Sequence, residues 1–168
     1  MEHARARGYP VPRVYEVRDD AMVLEKIDGP TIQEDIQVRP WMLARHMRTL
    51  AELHHRLHEI EHPEGGTLLH LDLHSLNVIL GPNGPMVIDW TNARGGDDPA
   101  LDPTLVWVIF RTSGVPVAGR LAARLFIRHF DSLDIARALP AACDYRIADA
   151  HTLPRERERV ERLRRRYT

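Results

Sequence analysis

Three polar residues of this 168-residue chain are spaced as phosphate chemistry on a hydroxyl would require. Asp72 lies in the run His70-Leu71-Asp72-Leu73-His74-Ser75-Leu76-Asn77, and Asp89 follows in Val87-Ile88-Asp89-Trp90. Moving a phosphoryl group from a nucleotide needs a carboxylate to orient the attacking hydroxyl. It also needs oxygen ligands that hold Mg²⁺ against the phosphates. Asp72, Asn77 and Asp89 supply a carboxylate, a carboxamide and a second carboxylate in that order. Short apolar runs flank each of them, so the three side chains are expected at neighbouring strand ends, facing one cleft. The competing account makes Asp72 and Asn77 turn caps and Asp89 the cap of the loop that follows. The joint pattern is much more specific than any one residue in it.

Those side chains need elements to carry them. Thr67 to His70, Val78 to Leu80 and Met86 to Ile88 read as short strands, the last two joined through Gly81-Pro82-Asn83-Gly84-Pro85. Upstream, Arg13 to Val17 and Ala21 to Ile27 read as a hairpin about the turn Arg18-Asp19-Asp20, and Asp28-Gly29-Pro30 as a hinge. Thr31 to Val38 predicts a short helix stopped by Pro40. From Trp41 to Ile60, the apolar residues Leu43, Met47, Leu50, Leu57 and Ile60 recur at helical spacing, and Gly65-Gly66 ends that segment. Asn92 to Pro103 reads as a loop, with Asp102 as N-cap and Pro103 as first helical residue. Helices are predicted over 103–112, 117–130, 133–150 and 154–166. There is no internal repeat or linker, so the expected fold is one α+β unit, mainly helical.

These residues resemble the aminoglycoside phosphotransferase and choline kinase-like family, a protein-kinase-like group of small-molecule kinases. The likeness rests on His70-Leu71-Asp72-Leu73-His74-Ser75-Leu76-Asn77 and on Ile88-Asp89-Trp90, which stands where protein kinases have D-F-G. Gly96-Asp97-Asp98-Pro99-Ala100-Leu101-Asp102 is similar to the family's G-D-P-x-x-D segment, with one extra aspartate. Met22 to Gly29 is similar to the last N-lobe strand and hinge. The resemblance implies residues 1–30 as a remnant of the N-lobe and hinge, and 31–168 as a helical C-lobe carrying the catalytic loop. It implies ATP-dependent phosphorylation of a hydroxyl on a small molecule. Asp72 would be the catalytic carboxylate, Asn77 and Asp89 the Mg²⁺ ligands, and Glu25, Lys26 and Ile27 the backbone contacts to the nucleotide base. His70 is expected to support the loop rather than act as acid or base.

Family members also carry a glycine-rich phosphate loop, a strand lysine and a helix glutamate ahead of the hinge. The residues before Met22 contain no G-x-G-x-x-G pattern, and Lys26, the only lysine, already belongs to the hinge. Weak activity is therefore expected, since nothing would cover the phosphates or exclude water. The chain reads as a late start of a longer protein, a decayed remnant, or a short form completed by a second copy or an N-lobe-supplying partner. The alternative in another class is a non-catalytic, pseudokinase-like binding module.

Other signals are weaker. His58-Glu59-Ile60-Glu61-His62 matches the H-E-x-x-H of zinc hydrolases, but Pro63 follows at once, so the second histidine falls at a fraying helix end. The run from Arg155 to Arg166 is arginine-rich, yet Glu158/Arg162 and Glu161/Arg165 at i,i+4 spacing fit an ordinary charged helix packed through Val160 and Leu163. With a net charge of −1, bulk attraction to nucleic acid or membrane is not expected. A single cysteine, Cys143, no long apolar run and no signal-like N-terminus suit a cytoplasmic protein.

Overall fold

The computed structural model describes every residue except Asp20, Ser113, Val115 and Thr168. A short helix, α1 (Glu2–Ala6), leads into a hairpin of β1 (Val14–Val17) and β2 (Met22–Leu24). β2 stops earlier than the expected Ile27. The Glu25 N–H still reaches the Arg13 carbonyl at 2.8 Å, and the chain then leaves the ladder for the hinge. Asp20, the last residue of the expected turn, lies outside the described residues.

Helix α2 (Ile32–Val38) starts at a capping box. The Thr31 hydroxyl accepts the Glu34 N–H at 3.1 Å while the Glu34 carboxylate accepts the Thr31 N–H at 2.7 Å. A 3₁₀ turn over Pro40–Met42 then feeds α3 (Leu43–His58), which buries Met47, Leu50, Leu53 and Leu57 along one stripe. The buried Asp35 carboxylate takes hydrogen bonds from Arg39 and, at 2.6 Å, from His46, tying α2 to α3.

The centre holds two further two-stranded antiparallel sheets, formed by β3 (Thr67–Leu69) with β6 (Arg94–Gly96) and by β4 (Val78–Gly81) with β5 (Gly84–Val87). Val78 pairs with Val87 and Gly81 with Gly84, around a two-residue turn at Pro82-Asn83. β6 falls where the sequence predicts only loop. Its glycines hide the strand pattern and also permit it: a Cβ on Gly96 would lie 2.5 Å from the Leu69 side chain, and one on Gly95 2.5 Å from the Gly65 carbonyl.

Four helices complete the chain: α4 (Leu101–Thr112), α5 (Pro116–Ile127), α6 (Ser132–Ala148) and α7 (Pro154–Tyr167). α4 is the central one, packed by the other three and apolar on most of its faces. Asp131 caps α6 by accepting the Leu133 N–H at 2.8 Å. On α7, Val160 and Leu163 are buried, as their spacing predicts. The fold is α+β and mainly helical. Leu73 belongs to the core of α3, α5 and the β4–β5 hairpin, whereas Leu71 belongs to the core of α4, α6 and α7. Asp72, between them, is anchored on both sides by buried leucine.

Candidate active site

The loop after β3 folds on its own backbone. The His74 N–H bonds the Asp72 carbonyl at 2.9 Å, and the Asn77 N–H bonds the His74 carbonyl at 3.0 Å. Asn77 is buried and its carboxamide closes the loop: Nδ2 donates to the Asp72 carbonyl at 2.9 Å and to the Asp72 carboxylate at 3.1 Å. The other carboxylate oxygen of Asp72 faces His74 Nε2 at 3.3 Å. Burial pulls the Asp72 carboxyl upward. The His74 hydrogen bond and the nearby charges of His74 and Arg146 outweigh it, so the group lies below its ordinary range.

Asp89 is brought to the same place by the neighbouring hairpin. The ladder continues past Val78 and Val87, with the Ile88 N–H on the Asn77 carbonyl at 3.0 Å. One residue on, Asp89 turns outward with φ of +59°, a left-handed conformation that costs a non-glycine residue free energy. Its Oδ1 accepts the Thr91 hydroxyl at 2.8 Å. Trp90 behind it anchors through Nε1 on the Val87 carbonyl at 3.1 Å and packs edge-on to Tyr9. His70 is fully buried, donates from Nε2 to the Ile88 carbonyl at 3.1 Å, and lies against Trp90. Burial holds its pKa down, so the ring is neutral and serves as a strut between β3 and the Asp89 turn.

The donor set suits a hard cation. Asn77 uses only its nitrogen within the loop, which leaves Oδ1 free, and Asp89 keeps Oδ2 free on an exposed carboxylate. A carboxamide and a carboxylate oxygen, with waters and substrate phosphates, make a Mg²⁺ environment rather than a dedicated all-protein cage. The described residues contain no cluster of three or more His, Cys, Asp or Glu side chains able to hold a metal.

Asp102 is the residue whose part the sequence reading missed. Helix α4 begins at Leu101, so Asp102 sits in its first turn instead of capping it. Its buried carboxylate accepts the backbone N–H groups of His70 at 2.8 Å and Leu71 at 2.5 Å, and faces His58 Nε2 at 3.1 Å. Burial would raise this carboxyl, but the hydrogen bonds from His58 and the backbone hold it below its ordinary range. The available signal was an aspartate in the first turn of the most apolar helix, where a charge must be paired to be buried. The H-E-x-x-H segment is absorbed in the same way. α3 ends at His58, His62 lies beyond the helix, and His58 is committed to Asp102.

The hinge residues line a cleft of about 100 Å³ together with Gly81, Asn83 and Met86 of the β4–β5 hairpin. Glu25 spends its backbone N–H on Arg13, and its carboxylate accepts the Arg13 N–H at 3.0 Å. The Lys26 ammonium points into solvent beside Asp28 at 2.6 Å. Ile27 packs toward Gly81. The hinge is fixed to the hairpin at Gly29–Pro30: the Leu80 N–H bonds the Pro30 carbonyl at 2.8 Å, and Thr31 bridges Ile79.

The family model of the RIO domain, a protein-kinase-like family, matches residues 1–105. That span takes in the hinge, the loop that carries Asp72 and Asn77, the Asp89 turn and Asp102, and with it the kinase-like fold is established. The match does not extend to the aminoglycoside phosphotransferase branch. No curated protein matches the sequence.

Proposed function

The chain belongs to the RIO-domain family, and from that premise we propose that it is an ATP-dependent phosphotransferase; that its acceptor is a hydroxyl of a small molecule rests on the chain's own residues and not on the family. The observation that carries the reading is the Asn77 carboxamide bonded to the Asp72 carboxylate, with Asn77 adjoining the Asp89 turn through the Ile88 N–H. Asp72 would accept the hydrogen bond of the acceptor hydroxyl. Because its carboxyl lies below the ordinary range, it is ionised at neutral pH and a weak base, suited to orienting the hydroxyl more than to removing its proton early. The hydroxyl oxygen bonds the γ-phosphorus as the bond to the β–γ bridging oxygen breaks. The proton passes by way of Asp72 to solvent, and ADP leaves. Asn77 Oδ1 and Asp89 Oδ2 would hold Mg²⁺, which when bound neutralises charge on the phosphates. The hinge and the β4–β5 hairpin would receive the nucleotide base. The small-molecule acceptor is supported by Trp90 in place of a D-F-G turn. It is also supported by residues 90–100, which β6 ties down to β3, leaving no long loop to hold an extended peptide.

Titration calorimetry with ATP, with and without Mg²⁺, on the chain and on Asp89→Ala tests this. Saturable binding that needs both the cation and Asp89 is expected, followed by transfer to an alcohol seen by ³¹P NMR and abolished in Asp72→Ala. A folded chain that binds no Mg²⁺·ATP would overturn the reading and leave the non-catalytic module.

A further inference from the structure

We infer that the cleft between the ends of α1 and α3 binds a phosphate group, free or carried by a small molecule, gripped by Arg7 and Arg56. The cleft has a volume of about 260 Å³ and is lined by Arg7, Tyr9, Arg56, Glu59 and Ile60. Arg7 directly follows α1 and Arg56 lies in the last turn of α3, so two cations far apart in the chain border one concavity. None of these lining residues borders the hinge cleft or belongs to the loop from Asp72 to Asn77. It is a second site. It lies behind the Asp89 turn, since Tyr9 packs edge-on to Trp90 with ring centres 5.8 Å apart. The next residue, Pro10, accepts the Val87 N–H at 2.8 Å. An anion bridging Arg7 and Arg56 would clamp the segment from Gly8 to Pro10 between α3 and β5.

Both guanidinium groups are positioned by neutral partners. Arg56 Nη2 donates to the Gly8 carbonyl at 3.0 Å, and its guanidinium carbon lies 5.9 Å from the centre of the Tyr9 ring. Tyr9 is itself buried and fixed, its hydroxyl donating to the Leu53 carbonyl at 3.1 Å. Arg7 Nη1 lies 2.8 Å from His3 Nδ1, and His3 Nε2 lies 2.8 Å from the Glu61 carbonyl. Neither arginine has a carboxylate partner among the described residues. A guanidinium already oriented in this way loses less freedom on meeting a ligand, and its remaining N–H groups match the paired oxygens of a phosphate. Glu59 is the acid among the lining residues and makes no ion pair with either arginine. Two guanidinium groups against one carboxylate leave the cleft net positive in a chain whose overall charge is −1.

The test is calorimetry on the full chain in EDTA, without nucleotide or Mg²⁺, with inorganic phosphate, glycerol 3-phosphate and choline as probes. Inorganic phosphate is expected to bind with a Kd of about 1 mM or tighter, and choline not to bind. Equal binding of glycerol 3-phosphate would mark the phosphate group as the part recognised, and its exclusion would identify the free ion as the ligand. Arg7→Gln and Arg56→Gln should each weaken phosphate about tenfold or more, and Glu59→Gln should tighten it about threefold. Arg48→Gln, an exposed change on α3, is the control and should bind as the parent does. Melting reports whether each variant folds and gives a second reading. Phosphate, against chloride at equal ionic strength, should raise the Tm of the parent and of Arg48→Gln but of neither arginine variant. Arg7→Gln, an exposed change outside the helices, keeps the test decisive if Arg56→Gln fails to fold. No phosphate binding by the folded parent, equal binding of choline, binding untouched by Arg7→Gln, or weaker binding in Glu59→Gln would each overturn the site. Mg²⁺·ATP binding is measured separately, so a chain that takes phosphate at these arginines and ignores ATP would sustain this site and sink the transfer reaction.

Discussion

The Asp102 carboxylate accepts the backbone N–H of Leu71, and Leu71 has a φ of +63°. A buried leucine in the left-handed region costs about 1–2 kcal/mol and persists only where its surroundings dictate it. Here α4 dictates it, since the same carboxylate also holds the His70 N–H and His58. Asp102→Ala would orphan those donors together, so a loss of about 3–5 kcal/mol in urea unfolding is expected. Asp102→Asn keeps one acceptor oxygen and should fall between. A loss under about 1 kcal/mol for Asp102→Ala would show that the loop holds its shape without α4.

Asp89 presents a conflict between stability and chemistry. Its side chain is exposed, and its φ of +59° suits glycine better than aspartate. Asp89→Gly should therefore raise the unfolding free energy by about 0.5–1 kcal/mol while abolishing Mg²⁺-dependent nucleotide binding. Melting and calorimetry on one preparation check both halves. A destabilised variant would mean that the hydrogen bond from Thr91 outweighs the backbone strain.

Much of this was open to sequence reasoning because it is local. The Thr31 capping box, the β4–β5 turn and the buried stripe of α3 each follow from residues within a few positions of one another. β6 and the role of Asp102 were not legible, for one shared reason. Both depend on contacts between segments far apart in the chain, and the local signals point elsewhere. Gly95-Gly96 reads as loop, and Asp102-Pro103 reads as a cap. Only the approach of β3, which the glycines allow, makes a strand of the first. Only the need of two buried backbone N–H groups for an acceptor turns the second inward. Asp72, Asn77 and Asp89 stand out in the sequence because their types and spacing, and not a contact between distant segments, carry the pattern.

The hinge offers a backbone test of the proposed nucleotide cleft. A Cβ placed on Gly29 would lie 2.1 Å from the Leu80 carbonyl oxygen, and Leu80 is the residue whose N–H holds Pro30. Gly29→Ala must push the hinge off β4, since neither backbone can yield as a flexible side chain would. A loss of about 2 kcal/mol or more in stability is expected, with weakened ATP binding. The exposed Gly65 is the control, since nothing lies within 4 Å of a Cβ there and only its positive φ resists substitution. If Gly29→Ala costs no more than Gly65→Ala, the hinge is not pinned to the hairpin.

His54 should make the whole fold sensitive to mild acid. It is fully buried between α3 and α5, with Nδ1 on the Leu50 carbonyl at 2.8 Å, its ring against Phe126 and Phe130, and no partner for Nε2. Burial pushes its pKa down to about 3, and the opposing pull of Asp102 is smaller. In the unfolded chain the ring titrates near 6.5. Between those two values the unfolded state binds a proton that the folded state refuses, so stability rises with pH through that window. It is complete above about pH 6.5 and is lost progressively below it. At pH 5 the deficit from this residue alone is about 2 kcal/mol, and His70, buried and shifted the same way, steepens the slope. His54→Phe removes the titrating group and keeps a ring in the same packing. Its unfolding free energy should fall by about 2 kcal/mol less than the parent's between pH 7.5 and pH 5 in urea titrations. Parallel slopes for the two proteins would mean that the acid sensitivity arises elsewhere, with the Asp102 and Asp72 carboxylates at lower pH the next groups to titrate.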